Sequence, residues 1–169
     1  MILTLTDTMR TIARRGLSKR AAGEDERTMP EDTAQTVAKK WWKAFVDKDV
    51  SRACACYADD VDYVDYGVGQ SFPGREAVEA FWQSFFDVID VDAFTSDTHA
   101  FTATDTTFAV EWTMHFQLVK AWGEFPPSPN VVSLRGISVG DVAGGKIVSH
   151  RDYYNAASIL QQMGLLALA

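Results

Sequence analysis

Two stretches of the chain repeat apolar residues at the spacing of an amphipathic helix. The first follows a helix start signal at residues 30–32, where a proline and two carboxylates suit the free N–H groups of a first turn, and it continues to about residue 47. The second covers residues 76–88. Shorter helices are predicted over residues 51–57 and over the tail, residues 156–168. The apolar faces of the two long helices hold Val37, Trp41, Trp42, Phe45 and Val46, and then Val78, Phe81, Trp82 and Phe85.

Elsewhere the period of the pattern changes to two, which is typical of strands. Residues 60–66 place Val61, Tyr63 and Asp65 on one face. Four longer strands are predicted over residues 94–102, 107–120, 131–142 and 146–154. The second of these four has an apolar face with Phe108, Val110, Trp112, Met114, Phe116 and Leu118, and a polar face with Thr107, Glu111, Thr113, His115 and Gln117. About three helices packed on one face of a curved antiparallel sheet, around an apolar pocket, describe an α+β domain.

Composition supports one globular domain. The chain has 169 residues, of which 47% are hydrophobic and 23% charged, and its net charge is −7. We interpret residues 1–29 as a flexible basic extension and residues 30–169 as the domain. The body, residues 31–169, carries 10 basic and 19 acidic side chains. An acidic body argues against nucleic acid and anionic membranes as partners, because both bind clustered positive charge.

The chain has few signals for targeting, metals or cofactors. No apolar run approaches the roughly 18 residues of a membrane span, and we expect a cytoplasmic protein; a transit peptide within residues 1–20 is the alternative. Cys54 and Cys56 lack the spacing of redox or zinc motifs and are interpreted as small buried residues. The three histidines lack metal-binding spacing, and the sequence contains no dinucleotide or phosphate-binding glycine motif. We therefore expect chemistry without a metal or a cofactor.

Three segments, in the right order, carry a resemblance to known proteins. The segment Y-A-D-D-V-D-Y-V-D-Y-G-V-G, from Tyr57 to Gly69, resembles the ketosteroid isomerase segment that carries the catalytic base. P-G-R-E-A-V-E at 73–79 resembles a helix start shared by limonene epoxide hydrolases and SnoaL-like polyketide cyclases, and G-K-I-V-S-H-R-D-Y-Y-N at 145–155 resembles their final strand. Residues 30–165 are thus similar to the SnoaL-like branch of the nuclear-transport-factor-two-like superfamily.

The resemblance implies a fold and roles for particular residues. Members of this superfamily share a cone of curved sheet closed by helices around an apolar pocket. Asp65 matches the isomerase base, and Tyr63 resembles a tyrosine of the hydrolases. Asp152 matches the carboxylate that acts as base in the hydrolases and as acid and base in the cyclases. The sequence departs from the hydrolases at an Arg-x-Asp pair, where it has Trp112 and Met114, and it lacks the second acidic group of the isomerases near residues 135–137.

The candidate residues suit proton-transfer chemistry. A carboxylate in an apolar pocket loses solvation, which raises its pKa toward the working pH. We expect Asp65 and Asp152 to act as acid and base, with Tyr63 and His150 polarising an oxygen atom of the substrate. The alternatives are that Asp65 only starts a turn before Gly67 and that Asp152 is an exposed strand residue or a partner of Arg151. The residues expected to line the pocket are Trp41, Tyr57, Phe81, Phe85, Trp112, Met114, Phe116 and Tyr154.

These expectations define a function and two rivals. The first hypothesis is a cofactor-free enzyme that cyclises, isomerises, dehydrates or opens the epoxide of a small hydrophobic oxygenated molecule, such as a polyketide or terpenoid. A ligand-binding module without turnover is the first rival, since fold does not fix function. A dimeric interaction protein that uses its exposed sheet face is the second. In each case we expect a homodimer through that outer face, where Glu111, Thr113, His115 and Gln117 are mixed rather than densely charged.

Overall fold

The computed structural model describes residues 33–166, so the expected extension at residues 1–29 lies outside the described residues. The predicted tail helix over residues 156–168 is too long, because the helix ends at Gln162 and residues 163–166 are not helical. Within residues 33–166, none of the helices has the length and hydrophobicity that a membrane-spanning helix requires. In chain order, the elements are α1 (Ala34–Val46), α2 (Val50–Cys54), β1 (Tyr57–Asp65), β2 (Gln70–Pro73), α3 (Arg75–Phe86), β3 (Thr95–Ala103), β4 (Thr107–Phe116), β5 (Val132–Ala143), β6 (Lys146–Tyr154) and α4 (Ala156–Gln162).

Local signals explain where the elements begin and end. Helix α1 is capped by Thr33, whose hydroxyl accepts a hydrogen bond from the N–H of Thr36, while the predicted start signal at residues 30–32 lies outside the described residues. The predicted helix over residues 51–57 is too long. It ends at Cys54, and Tyr57 begins β1, because the N–H of Ile147 in β6 bonds to the backbone just before that tyrosine.

Two further differences concern the turn after β1 and the end of β4. The segment between β1 and α3 contains a short strand, β2, that the sequence pattern did not predict and that pairs antiparallel with β1. Strand β4 ends at Phe116, four residues before the predicted limit at Lys120, and a long loop with three prolines then leads to β5.

The six strands form one curved, unclosed sheet in the order β2-β1-β6-β5-β4-β3. Neighbouring strands are antiparallel except β1 and β6, which are parallel and neighbours although they are far apart in the chain. This parallel pair sets Tyr63 beside His150 and Asp65 beside Asp152. The α+β architecture predicted from the alternating pattern is confirmed, with four helices among the described residues.

The helices cover one face of the sheet and form the core with it. The predicted inward faces of β1 and β4 are confirmed: Val61, Tyr63 and Asp65 are buried, as are all six predicted apolar positions of β4. On β5, Gly136 allows the ring of Trp112 to lie close to the backbone of the strand. A Cβ atom there would lie 2.5 Å from the ring of Trp112, so glycine allows that indole to lie against the neighbouring strand.

Candidate active site

Adjacent strands bring the candidate residues together. Side chains two apart on a strand share a face, so β1 contributes Tyr63 and Asp65, and β6 contributes His150, Asp152 and Tyr154 to the inner face. Because Asp65 and Asp152 occupy paired positions, their side chains stand side by side. Strand β5 adds Ser138, whose partner across the ladder is Asp152. Sheet register, rather than a loop, therefore positions these groups.

Asp152 lies at the centre of a buried hydrogen-bond network. Its side chain is enclosed, with 3% of the residue exposed. The Tyr63 hydroxyl donates to Oδ2 at 2.5 Å, and the Ser138 hydroxyl donates to Oδ1 at 2.5 Å. Nε2 of His150 lies 3.0 Å from Oδ1. Burial opposes ionisation of this carboxyl, but the neighbouring His150 and the three hydrogen bonds outweigh burial and lower its pKa.

The network extends behind Asp152 in two directions. Nδ1 of His150 lies 2.6 Å from the hydroxyl of Tyr57, and the indole N–H of Trp112 donates to Ser138 at 2.9 Å.

Tyr57 was expected to line the pocket, but it borders neither of the two internal voids beside Asp152. It sits at the start of β1, completely buried between Trp41 and His150. Burial raises the pKa of its hydroxyl, and the charge of Asp152 adds to the rise.

Asp65 has a different environment from Asp152. Its Oδ1 accepts hydrogen bonds from the backbone N–H groups of Gly67 and Val68, so the alternative of a turn-starting Asp is realised in the structure. Its Oδ2 accepts from the hydroxyl of Tyr154 at 2.8 Å. Burial raises the pKa of the Asp65 carboxyl, the charge of Asp152 raises it further, and the hydrogen bonds do not cancel these effects.

Both carboxylates nevertheless border one internal cavity. Its volume is about 30 Å³, enough for about one water molecule. The expected pocket residues on its wall are Phe81, Phe85, Trp112, Met114, Phe116 and Tyr154, which Trp82, Trp122, Leu134 and Ile159 complete. Trp41 borders a second void, of about 10 Å³, beside Asp152. The wall is thus mostly apolar, with two carboxylates as its acidic groups.

A larger groove lies outside this cavity. It measures about 620 Å³ and lies between β2, one side of α3 and the loop at residues 121–125. Phe81 and Trp122 border both the groove and the inner cavity, so these two rings form the partition between them. The indole N–H of Trp122 donates to Ser84 at 3.2 Å. Of the described residues that line the groove, Glu124 alone is charged.

Sequence reasoning missed Ser138 and Trp122. The other inward positions of β5 hold aliphatic residues and glycine. The two-residue alternation of that strand was therefore sufficient to predict that Ser138 is a polar group facing the core. Trp122 lies in an irregular loop, where no periodicity indicates its direction. His99 and His115 lie on the other side of the sheet, where they bond to Thr113 and Ser133.

Comparisons with known proteins agree with this architecture. The model of the SnoaL-like domain family matches residues 38–150 of the chain. No curated protein matches it. Among solved structures, a candidate polyketide cyclase from Xanthomonas campestris is 23% identical, with a TM-score of 0.65, over 76% of this chain and 95% of that one.

Two further solved structures extend the comparison. A hypothetical protein with a ketosteroid isomerase-like fold from Catenulispora acidiphila, crystallised with trimethylamine, is 19% identical, with a TM-score of 0.65, over 77% of this chain and 93% of that one. An LEH-like epoxide hydrolase from M. tuberculosis is 18% identical, with a TM-score of 0.61, over 79% of this chain and 92% of that one. At these identities the likeness establishes the fold, a cone of curved sheet closed by helices.

Proposed function

This chain belongs to the SnoaL-like domain family, and we propose from that premise that it is a cofactor-free acid–base enzyme acting on a small, hydrophobic, oxygenated molecule. The observation that carries the proposal is the pair of buried carboxylates on one cavity wall, with pKa values displaced in opposite directions. Such a pair supplies one group that keeps its negative charge and one that holds a proton more readily. Asp152 is accordingly the base and Asp65 the acid.

The proposed step is proton transfer around a carbonyl group. Oδ2 of Asp152 removes a proton from the carbon next to the carbonyl, and the electrons of the broken C–H bond form the carbon–carbon double bond of an enol. The fraction of Asp65 that carries a proton, which burial increases, gives it to the carbonyl oxygen, so Asp152 ends protonated and Asp65 ionised. Return of a proton to another carbon gives isomerisation, whereas attack of the enol on a second carbonyl gives cyclisation.

Hydrogen-bond partners support this assignment. Tyr154 donates to Asp65 while the carboxyl is ionised, and its hydroxyl can accept instead once Asp65 carries a proton. Tyr63 is completely buried and borders neither cavity, and it donates to the oxygen of Asp152 that is proposed to react, so it stabilises the negative charge of that oxygen. The groove suits the body of a flat, uncharged ligand, because its lining side chains are apolar apart from Gln70, Ser84 and Glu124.

A binding module without turnover is the second candidate. The observation that favours it is the partition of Phe81 and Trp122, which separates the groove from both carboxylates. A ligand confined to the groove would contact neither Asp65 nor Asp152. Catalysis therefore requires that one of these rings move when substrate enters.

Hydrogen–deuterium exchange tests the proposed step directly. A flat ketone such as 2-tetralone, incubated with the protein in D₂O, should exchange the hydrogens next to its carbonyl faster than in buffer. Asp152→Asn and Asp65→Asn should each slow that exchange by about 10²–10⁴-fold, the usual contribution of general acid–base catalysis. The two losses should not add, because the residues act in one step.

A matched control is available on the same strand. Arg151 bonds to Asp141 and Ser149 on the opposite face of the sheet, so Arg151→Gln should leave the exchange rate unchanged. Full exchange in Asp152→Asn would remove the proposed base. Unchanged rates in both Asn variants, with the ketone still bound, would establish the binding module instead.

A further inference from the structure

A buried chain of three polar side chains runs away from the cavity. Tyr57 contacts Nδ1 of His150 at 2.6 Å, and Nε2 of the same ring contacts Oδ1 of Asp152 at 3.0 Å. Tyr57 and His150 are completely buried, and neither borders the cavity. Packing alone would be satisfied by phenylalanine at position 57, so the hydroxyl calls for a separate explanation.

The two oxygen atoms of Asp152 are not equivalent. Each oxygen of an ionised carboxylate offers about two acceptor positions. Oδ1 is bonded to both Ser138 and His150, so both of its positions are used. Oδ2 accepts from Tyr63 and retains one position. The oxygen with a free position is the one that can take a proton from a substrate.

His150 completes this arrangement only if a hydrogen on Nε2 points at Asp152. A neutral ring that carries its single hydrogen on Nδ1 would lose the bond to Asp152, because Nε2 would then be an acceptor facing a carboxylate. The Asp152 carboxylate, which can only accept, opposes this loss, and the Tyr57 hydroxyl satisfies Nδ1 in both charge states of the ring that keep a hydrogen on Nε2. The hydroxyl donates to Nδ1 when the ring is neutral, and it accepts from Nδ1–H when the ring is charged.

Aromatic contacts hold the ring in place around these bonds. The edge of His150 meets Trp41 at a centroid distance of 4.8 Å, and the ring of Tyr63 lies 4.7 Å away. Its two hydrogen-bond partners, Tyr57 at Nδ1 and Asp152 at Nε2, and these ring contacts therefore together hold the imidazole in place.

We propose that Tyr57 is a positioning residue that keeps the Nε2–H of His150 on Oδ1 of Asp152, and so leaves Oδ2 as the oxygen that exchanges a proton with the substrate. This inference rests on the proposed function for its catalytic consequence. Its structural part, the state of the His150 ring, is independent of any substrate.

Nitrogen NMR of histidine-labelled protein tests the structural part. In the wild-type protein, His150 should carry hydrogen on Nε2 at every pH at which the fold is intact, with Nδ1 bonded to Tyr57. Tyr57→Phe should produce a mixture of Nδ1–H and Nε2–H forms. Tyr153→Phe is the matched control, because Tyr153 is exposed and stacks on Tyr66. A wild-type ring with hydrogen on Nδ1 alone, or a ring unchanged in Tyr57→Phe, would overturn the proposal.

The catalytic part is measured by ketone exchange. Tyr57→Phe should slow exchange by about ten- to a hundredfold, as misplacement of a reacting group does, and should alter the pH dependence of the rate. Replacement of Tyr57 by 3-fluorotyrosine, which keeps a hydroxyl, should restore the rate and the single ring form. Loss of the single ring form without any change in the exchange rate would refute the positioning role.

The two hypotheses fail differently. If Asp152→Asn retains full exchange, the proposed function is wrong whatever the state of the His150 ring. If Asp152→Asn abolishes exchange and Tyr57→Phe retains it, the proposed function stands and the role of Tyr57 is refuted. Should Tyr57→Phe not fold, the wild-type ring form and the 3-fluorotyrosine protein decide the question.

Discussion

Asp152 and Asp65 occupy paired positions on neighbouring strands and are equally buried, with 3% and 2% exposed, yet their surroundings differ. Asp152 is bonded to side chains from β1, β5 and β6, one of them a histidine. Asp65 accepts two backbone bonds from its own turn and one from a tyrosine. Burial alone would raise the pKa of both carboxyls.

Hydrogen-bond donors and the neighbouring histidine, rather than burial, therefore decide the charge of a carboxyl in this pocket. The histidine and the three side-chain bonds lower the pKa of Asp152, whereas the pKa of Asp65 stays raised, and the charge of Asp152 contributes to that rise. One short pair of strands thereby holds two carboxyls with opposite tendencies. Pairs of this kind are typical of acid–base sites.

The largest expected effect is a difference in the free energy of unfolding between the two Asn variants. At pH 7, Asp152→Asn should lower the free energy of unfolding by about 2–3 kcal/mol, because donors arranged around an ionised carboxylate would face an amide N–H₂ group. Asp65→Asn should change it by less than about 1 kcal/mol, and toward greater stability, because it removes a charge buried beside Asp152. Denaturant unfolding measures both. Equal losses would remove the contrast between the two sites.

The stabilities of the same two variants should also depend on pH in opposite ways. Asp152 has a lowered pKa in the folded state, so its contribution is present above about pH 3.9, the ordinary value for Asp, and is lost as pH falls through the folded value. The stability difference from Asp152→Asn should therefore shrink in acid. Asp65 has a raised pKa, so wild type should lose stability relative to Asp65→Asn as pH rises from about 3.9 through the folded value.

A smaller effect is expected when one tyrosine donor is removed from each carboxyl. Tyr63→Phe removes a bond to an ionised group in a fully buried position and should cost about 1.5–3 kcal/mol. Tyr154→Phe removes the bond to Asp65 at a half-buried position and should cost about 0.5–1.5 kcal/mol. Thermal and denaturant unfolding of both variants decide the order. A larger loss in Tyr154→Phe would contradict the ranking of the two sites.

Substitutions in the open groove should affect ligand binding rather than stability, unlike those at the two buried carboxylates. Ala80 is exposed and lines the groove, so Ala80→Trp should weaken binding of the neutral fluorescent probe N-phenyl-1-naphthylamine by about tenfold, with little effect on stability. Gln83→Trp, at an exposed position of α3 outside the groove, is the matched control. Equal binding by both variants would show that the probe binds elsewhere.

The smallest effect on folding is expected on the outer face of the sheet, where we propose a homodimer contact. Tyr66 and Tyr153 stack there with 55% and 41% exposed. Tyr153→Lys should change the free energy of unfolding of the monomer by less than about 0.5 kcal/mol and yet weaken the dimer. Sedimentation at micromolar concentration provides the test. A wild-type protein that sediments only as an 18.7 kDa species would contradict the dimer.

Alternation within strands is sufficient to predict much of the fold and part of the site. The two-residue period alone puts Tyr63 and Asp65 on one face of β1, and His150 and Asp152 on one face of β6. The sequence could not predict that β1 and β6 pair in parallel, because that contact joins distant segments and depends on the whole sheet. The direct pairing of Asp65 with Asp152 is a consequence of that register.

The residues missed or misplaced have local reasons. Tyr57 ends a run of small apolar residues that suits a short helix as well as a strand, and only its pairing with β6 decides between them. Ser138 is a single small polar residue among the apolar inward positions of β5, and that position alone does not indicate which side chain it bonds to. Trp122 belongs to a loop whose path depends on tertiary packing against α3.

Carbon NMR of protein labelled at the aspartate carboxyl groups measures directly whether the pKa values of Asp152 and Asp65 are displaced in opposite directions. Assignment through the two Asn variants identifies each signal in a titration from neutral to acid pH. The Asp65 carboxyl should take up a proton at a pH above the ordinary value for Asp, while Asp152 should stay ionised to a pH below it. Protonation of Asp152 before Asp65 on acidification would contradict the assignment of acid and base.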